Sequence, residues 1–234
     1  MDDLSYRIAP YLERAGSQVA EQLPSPRTLS VHTTFQLTPA HPKARYIYVA
    51  RNARDACVSY YHFCRESVGG KDYRDASFDE FFEEFVRGQV PYGDFFDHVK
   101  DWWEHRNDPN VFFTTYEAMQ SDPRKAVLDV ARFISDPEND YVPLLLRNGE
   151  KILDDIVKHT SFGQMKRNIP VVIRRAKDTP CGDTMLDAGV KVDFFRKGIV
   201  GDWVNYFNEE QVAQLDARQA DKFSGSGIDE LWTL

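Results

Sequence analysis

A chain of 234 residues with 42% hydrophobic content buries a full core and fits one domain, residues 1–234, better than two small ones. Its 37 acids outnumber 29 bases for a formal charge of −8, so general nucleic-acid or anionic-membrane binding is disfavoured while a local basic cleft for a small anion is not. No apolar run reaches the ~20 residues of a membrane span, the start MDDLSYRIAPYLERAG is unlike a signal peptide, and three cysteines, with Cys57 and Cys64 two helical turns apart, suit a reducing compartment. A cytoplasmic protein is expected.

After the Pro24-Ser25-Pro26 break, Thr28 to His32 reads as a short strand and Arg45 to Ala50 as a second. Helical periods follow over Ala53 to Cys64, Phe78 to Val86 and Asp94 to Arg106, the last placing Phe95, Phe96, Val99, Trp102 and Trp103 on one face. The Asp108-Pro109 turn opens a third strand, Asn110 to Tyr116, and Pro123 begins a helix that runs to Ile134. Apolar strands separated by helices need crossover connections, so the fold class is α/β, with a mostly parallel sheet covered by helices on both faces. Ligands bind such sheets beyond the carboxyl ends of the strands. His32, Arg51 and Tyr116 all stand at such ends and are expected to converge on one crevice.

Two basic elements qualify as anion holders. Arg51 offers a planar fork of donors, and Ser59 could bring a hydroxyl to the same anion from the next helix. Late in the chain, Arg196 and Lys197 abut Gly198, with Gly201 three residues on, a combination that lets backbone N–H groups approach an anion closely. On spacing alone, a surface arginine explains the first equally well and a solvated turn explains the second better.

Four ordered blocks, YIYVARNARDACVSYYHF, DWWEHRNDPNVFFTTYEAMQSDPRKAV, HTSFGQMKRN and FFRKGIVGDWVNYF, resemble the cytosolic sulfotransferases. Those enzymes move a sulfuryl group from 3′-phosphoadenosine 5′-phosphosulfate (PAPS) to a hydroxyl or amine. The resemblance implies a three-layer fold like that of the P-loop NTPases and assigns Arg51, Ser59, Arg196, Lys197 and the backbone of Gly198 to the nucleotide 3′-phosphate. It sets Tyr116, Thr160 and Phe162 around the adenine, His32 as the general base and Phe63 as a wall of the pocket for a small, largely apolar acceptor. Core packing for Phe162, a helix cap for Thr160 and a hydrogen-bonded core role for His32 are what these residues suggest without the family. The remaining histidines show no paired metal-ligand spacing, and no metal is assigned.

The chain departs from the family in three places. No strand, glycine-rich turn and lysine precede Pro24, no GxxxxGKS/T motif occurs, and Ser30 stands where the family has a second lysine. The first strand and the loop that cradles the 5′-phosphosulfate are therefore expected to be missing. Each lost charge donor would cost on the order of 10²–10³ in rate. Val204 to Ala213 does not match the family's dimer motif, so dimerisation by that route is not expected. A catalytically impaired nucleotide-binding pseudoenzyme, or a truncated isoform that retains the 3′-phosphate site, is the alternative function; a nucleotide kinase is disfavoured for want of a Walker lysine. Loops including parts of Val68 to Ser77 and Val171 to Leu186 are expected to line the acceptor pocket, and their scattered apolar residues leave the acceptor unidentified.

Overall fold

Aromatic and β-branched residues fit a pleated, half-buried surface, and two such runs form the sheet: β1 (Tyr46–Ala50) and β2 (Val111–Thr115). They pair in parallel, Tyr46 opposite Val111 and Ala50 opposite Thr115. The computed structural model describes residues 9–66, 73–168 and 195–232. Among these the sheet has two strands.

The crossover from β1 to β2 contains α2 (Ala53–Glu66), α3 (Phe78–Val86) and α4 (Phe95–Glu104). It is preceded by α1 (Leu12–Gln22), in which Gly16 breaks the helical geometry at φ 73. After β2 come α5 (Tyr116–Ser121), α6 (Pro123–Ile134), α7 (Tyr141–Leu146), α8 (Lys151–His159) and α9 (Phe162–Asn168). The last long helix is α10 (Glu209–Phe223). Local chemistry sets many of the starts. Ser77 and Glu80 form a reciprocal capping box at α3, Asp94 accepts the amides of Phe96 and Asp97 at α4, and Asp122 caps α6 beside Pro123.

Phe81, Phe82 and Phe85 of α3 are fully buried with Cys57 and Tyr61 of α2, Phe96 and Val99 of α4, and Leu215 and Phe223 of α10. Ion pairs fasten α10 outside this core: Arg218 Nη2 lies 2.7 Å from Asp94 and Lys222 Nζ 2.6 Å from Asp97. A smaller cluster of Ala131, Leu145 and Leu153 joins α6, α7 and α8.

One expectation needs correction. Thr28 to His32 is not a strand: Ser30 makes only an isolated parallel bridge to Tyr11. The backbone groups that would have extended the ladder are taken by side chains, because the His32 N–H donates to Glu13 while the carbonyls of His32 and Thr33 accept from His98 and Trp102. As expected, helices stand on both faces of the sheet. On one face Tyr48 stacks on Trp102 at 5.1 Å and Phe113 meets Trp103 edge-on at 5.1 Å, so α4 seals it. On the other, Phe133 of α6 reaches Phe112 at 5.4 Å, but Ile47 and Val49 remain 45% and 46% exposed. Among the described residues, no helix is long and apolar enough to cross a membrane.

Candidate active site

The chain leaves β1 at Arg51 and turns directly into α2. Asn52 makes that turn: its Oδ1 accepts the Asp55 N–H at 2.8 Å, and its Nδ2 donates to Asp55 Oδ2 at 3.0 Å. Glu117, just past β2, accepts from both the backbone N–H and the side-chain amide of Asn52, at 3.0 and 2.7 Å. Its other oxygen accepts from Trp232 at 2.9 Å. The carboxyl ends of the two strands are thereby tied to each other and to the C-terminal turn.

Onto this junction folds the loop from Phe195 to Trp203. Asp55 is 1% exposed and accepts the Gly201 N–H at 2.6 Å on one oxygen and the Trp203 N–H at 3.1 Å on the other. Arg51 Nη2 donates to the Ile199 carbonyl at 2.9 Å, and its guanidinium lies 4.4 Å from the Tyr116 ring centre. A second acid, Asp202, sits inside the loop at 2% exposure. It accepts from Arg196 at 2.5 Å, Lys197 at 2.8 Å and Asn205 at 2.8 Å. Burial works against its ionisation, but the bonds from Lys197, Arg196 and Asn205 prevail and bring its pKa down to about 2.

Gly198 has φ 67, and a Cβ there would collide with the Phe162 ring. Only glycine fits such close approach at positive φ. Phe162 also meets Phe195 edge-on at 6.2 Å, and Lys166 Nζ donates to the Arg196 carbonyl at 3.4 Å, so α9 backs the loop. Thr160 ends α8, its hydroxyl donating to the Ile156 carbonyl at 2.8 Å; it is exposed. Ser59 is half-buried on α2, between Asp55 and His62 on a single face by helical spacing. Asp55 holds residues 201 and 203, and His62 Nε2 lies 2.8 Å from the Tyr206 hydroxyl, so Ser59 faces the same loop. His62 has a lowered pKa, first from burial and then from Arg196 and Arg65. Burial is the main cause; the nearby cations add to it and Asp202 opposes it.

Of the residues singled out from sequence, Arg51, Tyr116, Phe162, Arg196, Lys197 and Gly198 thus gather at one rim of the sheet, with Ser59 facing it. His32 belongs to a second cluster. Its ring lies between Tyr11 at 4.7 Å and Tyr92 at 4.4 Å, both nearly parallel to it. Phe63 packs on the main core and stacks with Tyr60 at 6.2 Å, while the Tyr60 hydroxyl donates to the Pro91 carbonyl at 2.6 Å beside Tyr92. Tyr60 therefore links α2 to the histidine cluster. Val171 to Leu186, and Val68 to Asp72 of the other expected acceptor loop, lie outside the described residues. The acids Asp55, Asp202 and Glu117 were missed from sequence, although Asn52 to Asp55 carries the spacing of a capping box.

Residues 3–227 match the family model of the sulfotransferase domain. Sulfotransferase 1B1 of Mus musculus is 37% identical over 223 residues, covering 94% of this chain and 69% of the mouse protein. Sulfotransferase 1C2 of Homo sapiens is 36% identical over 228 residues, covering 94% and 71%. The crystal structure of mouse sulfotransferase SULT7A1 complexed with PAP aligns at a TM-score of 0.70 and 27% identity, over 92% of this chain and 72% of that one. The four ordered blocks, the parallel strands that end in a basic rim and these likenesses agree: the chain belongs to the sulfotransferase family and is a transferase of that class.

Proposed function

We propose that this chain transfers a sulfuryl group from PAPS to a hydroxyl or amine of a small, largely apolar acceptor, in a cytosolic setting. One observation carries the reading. Arg51 and Ile199, 148 positions apart in sequence, are joined by a 2.9 Å hydrogen bond, which brings Arg196, Lys197 and Gly198 to the carboxyl end of β1. A chain of net charge −8 that concentrates three cations there has a local place for a phosphate. Relatives whose crystal structures contain PAP support the choice of nucleotide.

In this reading Arg51, Ser59, Arg196, Lys197 and the backbone at Gly198 hold the 3′-phosphate. Tyr116, Thr160 and Phe162 surround the adenine, offering ring faces and a hydroxyl. His32 takes the proton of the acceptor hydroxyl as the oxygen attacks sulfur. The bond from sulfur to the 5′-phosphate oxygen breaks in the same step and releases 3′-phosphoadenosine 5′-phosphate. Phe63 presents an apolar wall to the acceptor.

Titration with 3′-phosphoadenosine 5′-phosphate tests the nucleotide site. Arg51→Ala should weaken binding at least about ten-fold, the cost of a charge-assisted contact; unchanged affinity rejects the site. Sulfuryl transfer from PAPS to a panel of phenols and amines tests the base. His32→Ala should lower the rate by about 10²–10⁴, and a variant with full activity removes His32 from the mechanism.

A further inference from the structure

We infer that Asp202 sets the anion selectivity of the basic rim: as the resident counter-ion of Arg196 and Lys197, it leaves too little uncompensated charge to hold a free inorganic anion, so the rim takes a phosphate only when a nucleotide carries it. This rests on the reading of the rim as the seat of the 3′-phosphate. Two cations adjacent in sequence end on the two oxygens of one carboxylate, Arg196 Nη1 on Oδ2 and Lys197 Nζ on Oδ1. The Asp202 side chain is 1% exposed, whereas those of Arg196 and Lys197 are 23% and 44% exposed. Solvent therefore reaches the cations but not the acid.

An incoming anion cannot displace Asp202. Its three donors, on Arg196, Lys197 and Asn205, all lie within six positions of it and close the turn that contains it. A carboxylate released from them would stay buried without partners, at a cost that a weak ligand does not repay. Nor does Asp202 exhaust the cations. Arg196 spends one of its five N–H donors on the acid and Lys197 one of three; beyond it, each meets the Tyr206 ring, at 5.8 and 5.9 Å. Donors remain for a ligand, and what Asp202 removes is charge. Arg51, Arg196 and Lys197 bring three positive charges, against two negative ones on Asp202 and on Asp55, which lies 3.9 Å from Arg51. An inorganic anion has only that excess of one charge to hold it. A nucleotide is also held through its base, which makes its phosphate contact an intramolecular one and tolerates a weakly charged seat. Without Asp202, dissolved sulfate or phosphate would compete for the same cations.

Thermal unfolding in sodium sulfate, against sodium chloride of equal ionic strength, tests this without any nucleotide. The general salting effect of sulfate is common to native and variant chains. The native chain should show that effect alone, a steady rise in Tm that does not saturate. Asp202→Asn keeps an oxygen for Lys197 but drops the charge. Sulfate should bind this variant at least about ten-fold more tightly than the native chain, read as an added rise in Tm that saturates with concentration. A second substitution, Arg196→Gln, should abolish the added rise by removing one of the cations. A saturating rise in the native chain at the same concentrations overturns the proposal, and that measurement does not need the variant to fold. So does an Asp202→Asn chain with no added rise, or a double variant that keeps it. The seat itself is tested separately, by nucleotide titration of Arg51→Ala, so its failure and the failure of Asp202 as the selectivity residue are distinct results.

Discussion

The basic rim and the histidine cluster are held by opposite means. At the rim, Asp202 and Asp55 are almost wholly buried and fix Arg196, Lys197 and the backbone of residues 201–203 through short bonds. Around His32 the fixing groups are two tyrosine faces, a backbone carbonyl contact and one partly exposed carboxylate. Under the proposed roles, the difference follows from what each group must do. A cation that stays charged can be locked by a buried counter-ion, because the lock only reinforces its charge. A base that gains a proton cannot be locked that way, since a buried ion pair would drive its pKa far from neutrality. Neutral ring faces orient such a group without choosing its charge.

Three experiments probe that contrast. The largest effect is expected from Asp55→Ala, which leaves the amides of Gly201 and Trp203 without their acceptor. Stability should fall by about 3 kcal/mol or more, a drop in Tm of roughly 6–12 °C. A smaller drop than that from any His32-side substitution would mean that the acid does not anchor the loop.

Asp202→Asn comes next, at about 2 kcal/mol near neutral pH. Because the folded Asp202 has its pKa depressed to about 2, the unfolded chain binds its proton first as pH falls. The stability it supplies is full above about pH 4, the unfolded carboxylate range, and disappears as pH drops through about 2. Thermal unfolding of both chains at pH 6 and pH 2.5 should show the gap closing in acid; a constant gap excludes the ion pairs as its source.

The smallest effect belongs to Tyr92→Gly. Glycine adopts φ 68 without strain, which offsets the lost ring contact, so Tm should change by less than about 4 °C. The His32 ring protons should nevertheless shift downfield as the stacked tyrosine is removed. An unchanged His32 spectrum would show that Tyr92 does not orient the imidazole.

Parts of the fold could be read almost residue for residue. Phe78 to Val86 is the helix expected from its phenylalanine spacing, because Ser77 and Glu80 cap it locally. β1 and β2 fall within a residue of the runs that announced them, since β-branched and aromatic residues leave few other options. Thr28 to His32 holds β-branched Thr28 and Val31 but lacks a ladder. Here Ser30 meets Pro10 and Leu12, His32 meets Glu13 and His98, and the next carbonyl, of Thr33, meets Trp102; the sequence carries no sign of these partners. The two short helices α7 and α8 were also unannounced; their apolar residues cover only the small cluster around Ala131, too few to set up a periodic signal.

The four blocks determined the family, and with it the residue types offered to an anion and a proton. Which of them stand together was decided by folding. Arg51 and the Arg196-Lys197 pair meet because Asp55, on the first turn of α2, accepts two amides from the loop that carries the pair. His32 instead joins Tyr11, Tyr92 and Glu13. The cause is physical: propensity, capping and patterning act over a few residues and are written locally, whereas a buried acid's choice of donors depends on long-range packing that places both ends at once.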